Sequence, residues 1–147
     1  MDPLTAVGVA ASIVQLSQAA FSLSKTLYSL GSALASVPDD IQVLASDLRT
    51  FSQSLTILSR LLEDNKSRYS DDVYLMTARI IKDSADLYIK IDKFLRKLGG
   101  NSNWKLRIKF VYKEGEIRKL MDRLRDMKGT LATILMSLQV DLQLSLL

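Results

Sequence analysis

The sequence predicts an all-α fold: an antiparallel four-helix bundle of long helices plus one short extra helix. Three observations predict it. Apolar residues recur at alternating spacings of three and four along four long segments. Glycine and proline are scarce, with six and two in 147 residues. Turn-forming residues gather only between those segments. With 48% apolar and 24% charged residues, residues 1–147 suffice for one domain with a core of its own.

Helices are expected at about 3–34, 38–63, 71–98, 103–112 and 115–140. In the first, Ala6, Val9, Ile13, Leu16, Ala20, Leu23, Leu27, Leu30 and Leu34 form a heptad-like seam. Its back face is also apolar at Val7, Ala10, Ala11, Val14 and Phe21, and becomes polar from Ser22. The second opens at Ser36-Val37-Pro38-Asp39, where Ser36 can cap, Pro38 suits the first turn and Asp39 and Asp40 complement the helix dipole. Its seam is Ile41, Leu44, Leu48, Phe51, Leu55, Leu58 and Leu62. After a polar loop from Asp64 to Asp71, the third helix starts near Ser70–Asp72. It carries a broad face of Ile80, Leu87 and Phe94 flanking Ile81, Tyr88, Leu95, Ile91 and Leu98. Gly99-Gly100-Asn101 ends it.

Trp104 to Tyr112 reads as the short helix, with Trp104, Ile108 and Val111 four and three residues apart. Gly115 marks a break. The last long helix repeats the rhythm with Ile117, Leu120, Leu124, Met127, Leu131, Ile134 and Leu138, while Val140–Leu146 alternates apolar and polar. Each seam is uncovered unless it meets another, so the helices pack side by side, and short connections imply antiparallel neighbours. Leu48, Leu55, Leu87, Leu124 and Leu131 are the expected core.

There is no cysteine and no histidine. That removes disulfides, thiolate zinc sites, thiol nucleophiles, the commonest general base and every Ser–His–Asp arrangement. The acid pairs Asp39/Asp40 and Asp71/Asp72 lie at helix starts, where the dipole accounts for them. Gly99-Gly100 lacks the Lys-Ser/Thr of a phosphate loop. No enzyme, metal or cofactor is expected.

Charge is uneven. Residues 1–63 hold three basic and five acidic side chains; residues 64–147 hold seventeen and eleven. The 22 residues from Pro3 to Ser24 carry no charge. As a helix they would measure roughly 33 Å, comparable to the apolar layer of a bilayer. With no positive charge ahead of them, they do not read as a cleaved secretory signal. A central bundle helix is the plainer reading; a helix that leaves the bundle for a membrane is the functional one. Its candidate insertion residues are Leu4, Val7, Val9, Ile13, Val14, Leu16 and Phe21.

The second candidate is the basic stretch Lys90, Lys93, Arg96, Lys97, Lys105, Arg107, Lys109 and Lys113, with Trp104, Phe110 and Tyr112 interleaved. Against a plain solvated face stands an anionic-lipid surface, worth roughly 1 kcal/mol per cation near the headgroups, with Trp104 at the interface. Nucleic acid ranks lower, because no helix-turn-helix, finger or RNA-binding signature is present.

The opening Met1-Asp2-Pro3-Leu4, followed by Ala6-Val7-Gly8-Val9-Ala10-Ala11-Ser12-Ile13-Val14-Gln15-Leu16, resembles the fungal N-terminal domain of NLR-like STAND proteins. That family is grouped with the HeLo-like cell-death domains. The likeness continues through Val37-Pro38-Asp39-Asp40-Ile41 and Trp104-Lys105-Leu106-Arg107-Ile108-Lys109-Phe110. It implies a non-enzymatic effector of programmed cell death, heterokaryon incompatibility or immunity, which oligomerises and targets membranes through its N-terminal hydrophobic helix. In this sequence the matching stretch is Leu4 to Phe21. The implied partners are further copies, anionic membrane lipids and a downstream sensor domain. The implied location is cytoplasmic at rest and the plasma membrane on activation. A signalling adaptor or oligomerisation module without membrane activity is the alternative.

Overall fold

The computed structural model describes residues 3–33, 39–64, 70–98 and 114–145; the side chains of 3–7, 32–33, 98, 114, 141–142 and 144–145 lie outside that description. Four helices pack as a bundle: α1 (Pro3–Ala33), α2 (Asp40–Asp64), α3 (Asp71–Leu98) and α4 (Glu114–Ser145). The short helix expected at 103–112 falls outside the described residues, as do Leu34 and the Ser36–Pro38 cap. α4 runs past its expected end near 140, so the alternating tail is helical through Ser145.

The core joins all four helices. Every seam position expected on α2 and α4 is buried, and Leu48, Leu55, Leu87 and Leu124 have no accessible surface. Val73, Tyr74, Ile80, Leu87, Tyr88, Ile91 and Phe94 supply α3's share.

On α1 the buried stripe is offset from the expected seam. Ile13, Ala20 and Leu27 are buried, but their companions are Ala10, Ser17 and Ser24, with Gly31 half-buried. Val9, Leu16, Leu23 and Leu30 are half-buried and pack on the core's edge. The reason lies across the interface. Ala10, Ser17, Ser24 and Gly31 recur every seven residues, and so do Ala45, Ser52 and Ser59 on α2. Small residues on both helices let the two backbones approach closely. Ser17 Oγ donates to the Ser52 carbonyl at 2.8 Å, and Ser52 Oγ donates to the Ser17 carbonyl at 2.7 Å. Ser17 and Thr56 hydroxyls sit 2.6 Å apart. Near the other end, a Cβ on Gly31 would lie 3.1 Å from Gln42 Cγ and 3.4 Å from Ile41 Cγ2, so that contact is also tight.

Pairing fixes the arrangement. Ser17 meets Ser52 while Gly31 meets Ile41 and Gln42, so α1 and α2 are antiparallel. Arg118 lies 4.0 Å from Asp40 and Lys128 3.4 Å from Asp47, so α2 and α4 are parallel. Arg123 lies 3.9 Å from Asp83, and the start of α3 faces the end of α4, so those two are antiparallel. Going round the bundle the order is α1, α2, α4, α3. α1–α4 and α2–α3 are diagonals without backbone contact among the described residues. Consecutive helices do run in opposite directions, but α2 and α3 are not neighbours. The six residues between Asp64 and Asp71 are chain enough, at about 3.4 Å each, to cross the bundle end.

Candidate functional site

The outer face of α1 is the first region. Every third or fourth side chain turns inward, which leaves Ala11, Val14, Gln15, Gln18, Phe21 and Ser22 exposed. Val14 and Phe21 are large apolar groups at 39% and 40% exposure, on a helix surface without charge before Lys25. The Lys25 ammonium sits 4.7 Å above the Phe21 ring. Of the other candidate insertion residues, Ile13 is fully buried, Val9 and Leu16 are half-buried, and the side chains of Leu4 and Val7 lie outside the description. The candidates therefore split between two faces. Val14 and Phe21 are exposed in this state, whereas Ile13 is committed to the core. No helix among the described residues is long and apolar enough to cross a membrane.

The basic stretch is the second region. Lys90, Lys93, Arg96 and Lys97 are exposed on the second half of α3, and Arg96 Nε pairs with Asp92 at 2.9 Å. Trp104, Lys105, Arg107, Lys109 and Lys113 lie outside the described residues. The fold adds cations that sequence spacing did not bring to the site. Lys119 and Arg123 of α4 join Lys90 around a groove of about 400 Å³, with Glu116 and Asp126 on its walls. Arg123 Nε is buried there, without a hydrogen-bond partner among the described residues. Only the pairing of α3 with α4 places these residues together, so neither segment alone contains the signal.

A third region was missed altogether. Where the start of α3 meets the end of α4, a groove of about 800 Å³ opens, lined by Leu75, Met76, Met136 and Val140 with Asp72 and Arg79 beside them. Leu75 and Met136 are two-thirds exposed. They stand outside the inward stripe of their helices, so a search for core seams passes over them.

Residues that could do chemistry are sparse. Among the described residues, no group of three or more acids, histidines or cysteines could hold a metal. Tyr74 and Tyr88 are buried, and burial pushes both phenols above their ordinary pKa, which keeps them neutral. Ser84, one turn before Tyr88, is buried as well, and among the described residues neither of these two hydroxyls closes a hydrogen bond of good geometry.

A long-helix bundle with a small-residue α1–α2 seam is a framework that many functions could use. Residues 1–145 match the family described as pigment biosynthesis cluster protein PigL N-terminal. The chain belongs to the PigL N-terminal family. This is a helical domain found at the N-termini of fungal proteins, and the match takes in all four helices. No curated protein and no solved structure matches the chain.

Proposed function

We propose that this PigL N-terminal domain is a non-enzymatic cell-death or immune effector of the HeLo-like kind. It rests as a closed bundle in the cytoplasm, oligomerises when a sensor domain joined to it is triggered, and then acts on the plasma membrane through α1. The observation that carries this reading is the outer face of α1: a surface without charge as far as Lys25, whose ammonium lies over Phe21, with Val14 and Phe21 exposed on a helix whose opposite face holds the bundle together.

No described helix is long and apolar enough to cross a membrane; in this reading several copies of α1 assemble before they enter it. Gln15, Gln18 and Ser22 would then face one another instead of lipid tails, which removes the cost of unsatisfied polar groups in the apolar layer. The exposed cations Lys90, Lys93, Arg96 and Lys97 add attraction to anionic headgroups, screened by salt.

The adaptor reading has its own support in the apolar groove between α3 and α4, which suits a protein partner. Dye release from vesicles separates the two. The domain fused to an inducible dimeriser should release dye from anionic vesicles when dimerised. Charge reversal at Lys90, Lys93 and Lys97, or added salt, should weaken binding to anionic vesicles. Clustering without vesicle binding or leakage gives the adaptor reading the lead.

A further inference from the structure

The groove between the start of α3 and the end of α4 has a lining that matches itself when reversed. On α3 the residues facing it include Asp72, Leu75, Met76 and Arg79; on α4 they are Thr133, Met136, Ser137 and Val140. Both sets follow the spacing i, i+3, i+4, i+7, so each is one stripe of one helix. Asp72 and Arg79 are exposed and stand roughly 10 Å apart along α3. Neither makes an ion pair among the described residues. The α4 wall adds no charge, since residues 129–140 contain none. Arg60, Glu63 and Asp64, at the same end of the bundle, stand on α2 and do not line the groove. Between the two charges the middle is apolar, with Leu75 and Met136 both two-thirds exposed.

One acid and one cation leave the lining net neutral. A surface of a single sign would set one of the two against its like, but a second copy of the groove sets neither. α3 and α4 are antiparallel, so both walls centre at one level, between Leu75 and Met76 and between Met136 and Ser137. A two-fold axis lying across the groove at that level brings Asp72 of each copy to Arg79 of the other. Leu75 and Met136 of both copies then share one apolar centre.

We propose that this groove is a two-fold dimer interface whose occupant is the same groove of a second copy, held by reciprocal Asp72–Arg79 pairs around Leu75 and Met136. This rests on the self-association reading above and names a contact for it. Such an interface is isologous and closes at two copies. Its ten lining residues a side are fewer than the roughly twenty of a stable complex, so the contact is weak until copies are concentrated. The α1–α2 pair lies on the opposite side of the bundle, so the dimer leaves Val14 and Phe21 uncovered.

A charge swap in the whole chain, read by sedimentation, tests it. Wild type at high concentration should reach dimers and stop there. Arg79→Asp and Asp72→Arg should each weaken dimerisation about tenfold or more, since each sets two like-charged pairs in contact. An equimolar mixture of the two should dimerise again, because every acid then meets a cation across the axis. Asp72 also complements the start of α3, so Met136→Glu, which leaves both charges in place, gives a second test. It should weaken dimerisation while circular dichroism stays helical. The chain has no cysteine, so a single introduced one reports the contact cleanly. Leu75→Cys, beside the axis, should form disulfide-linked dimers about tenfold or more faster than Ile89→Cys, exposed on α3 outside the groove. A wild type monomeric at every concentration, a mixture of folded variants that does not dimerise, or equal cross-linking at Leu75 and Ile89 overturns the inference. The effector reading is judged apart from it, by dye release on induced clustering: dimers without dye release keep this interface and remove that reading.

Discussion

The α1–α2 and α3–α4 pairs are both antiparallel, yet they are held by different physics. α1 and α2 meet through alanine, serine and glycine, so closely that hydroxyls reach the opposing carbonyls. α3 and α4 meet through Leu, Ile, Phe and Met side chains, with a long Arg123–Asp83 pair and two grooves along the outside. A small-residue seam leaves no room for growth and fixes register by hydrogen bonds. A large-residue seam fills the core but leaves crevices where the helices diverge. The difference places the close, hydrogen-bonded contact on one side of the bundle and the open grooves on the other. It also means that α1 does not part from α2 without uncovering buried serines.

The largest expected effect falls on the shared core. Leu124 has no accessible surface, so Leu124→Ala should cost about 2–5 kcal/mol in urea denaturation. A smaller change separates the two pairs. Ser17→Leu should cost about 1–3 kcal/mol because the close seam cannot accept the volume. The same change at Ser137, on the groove wall between α3 and α4, should shift stability by under about 0.5 kcal/mol. Equal costs at Ser17 and Ser137 would erase the distinction.

Tyr88→Phe should stabilise the fold by up to about 1 kcal/mol, since it removes a buried hydroxyl that, among the described residues, has only the imperfectly placed Ser84 hydroxyl beside it. It should also change the alkaline limb. Burial raises the Tyr88 pKa above its ordinary 10.0, so the unfolded chain gives up this proton first. The stabilisation is whole below pH 10.0 and is lost as pH climbs toward the raised value; the Phe variant should lose less over that range. Smallest of all, Arg118→Ala should move stability by under about 1 kcal/mol, because Arg118 is exposed and its 4.0 Å pair with the half-buried Asp40 is long.

Much of the fold was legible in the residue pattern. On α2 and α4 every position of the hydrophobic seam is buried, because Leu, Ile, Met and Phe mark it, while α2 also buries Ala45, Ser52 and Ser59 beside that seam. On α1 half the stripe is Ala10, Ser17, Ser24 and Gly31, which a reading by hydropathy skips in favour of Leu16, Leu23 and Leu30. The repeat of small residues every seven positions was present in the sequence, and it also appears on α2. The order of helices round the bundle was not legible, since helical spacing tells which face is buried but not which helix covers it. The site was legible only in part. Val14 and Phe21 could be singled out as lying off the seam, whereas Arg123 and Lys119 join Lys90 only after α3 and α4 pair.

The central claim is that the two faces of α1 do separate work, the inner one holding the bundle and the outer one meeting the membrane. Dye release by Val14→Asp, measured beside circular dichroism, tests it most directly. Val14 is 39% exposed, so its Asp variant should remain helical and melt close to wild type, whereas Ile13→Asp, at a fully buried position, should not. In a bilayer the same Asp would cost roughly 2.5–3.5 kcal/mol at the helix centre. The account predicts a folded Val14→Asp domain that no longer releases dye on induced clustering. A folded Val14→Asp domain that releases dye as fast as wild type would contradict it.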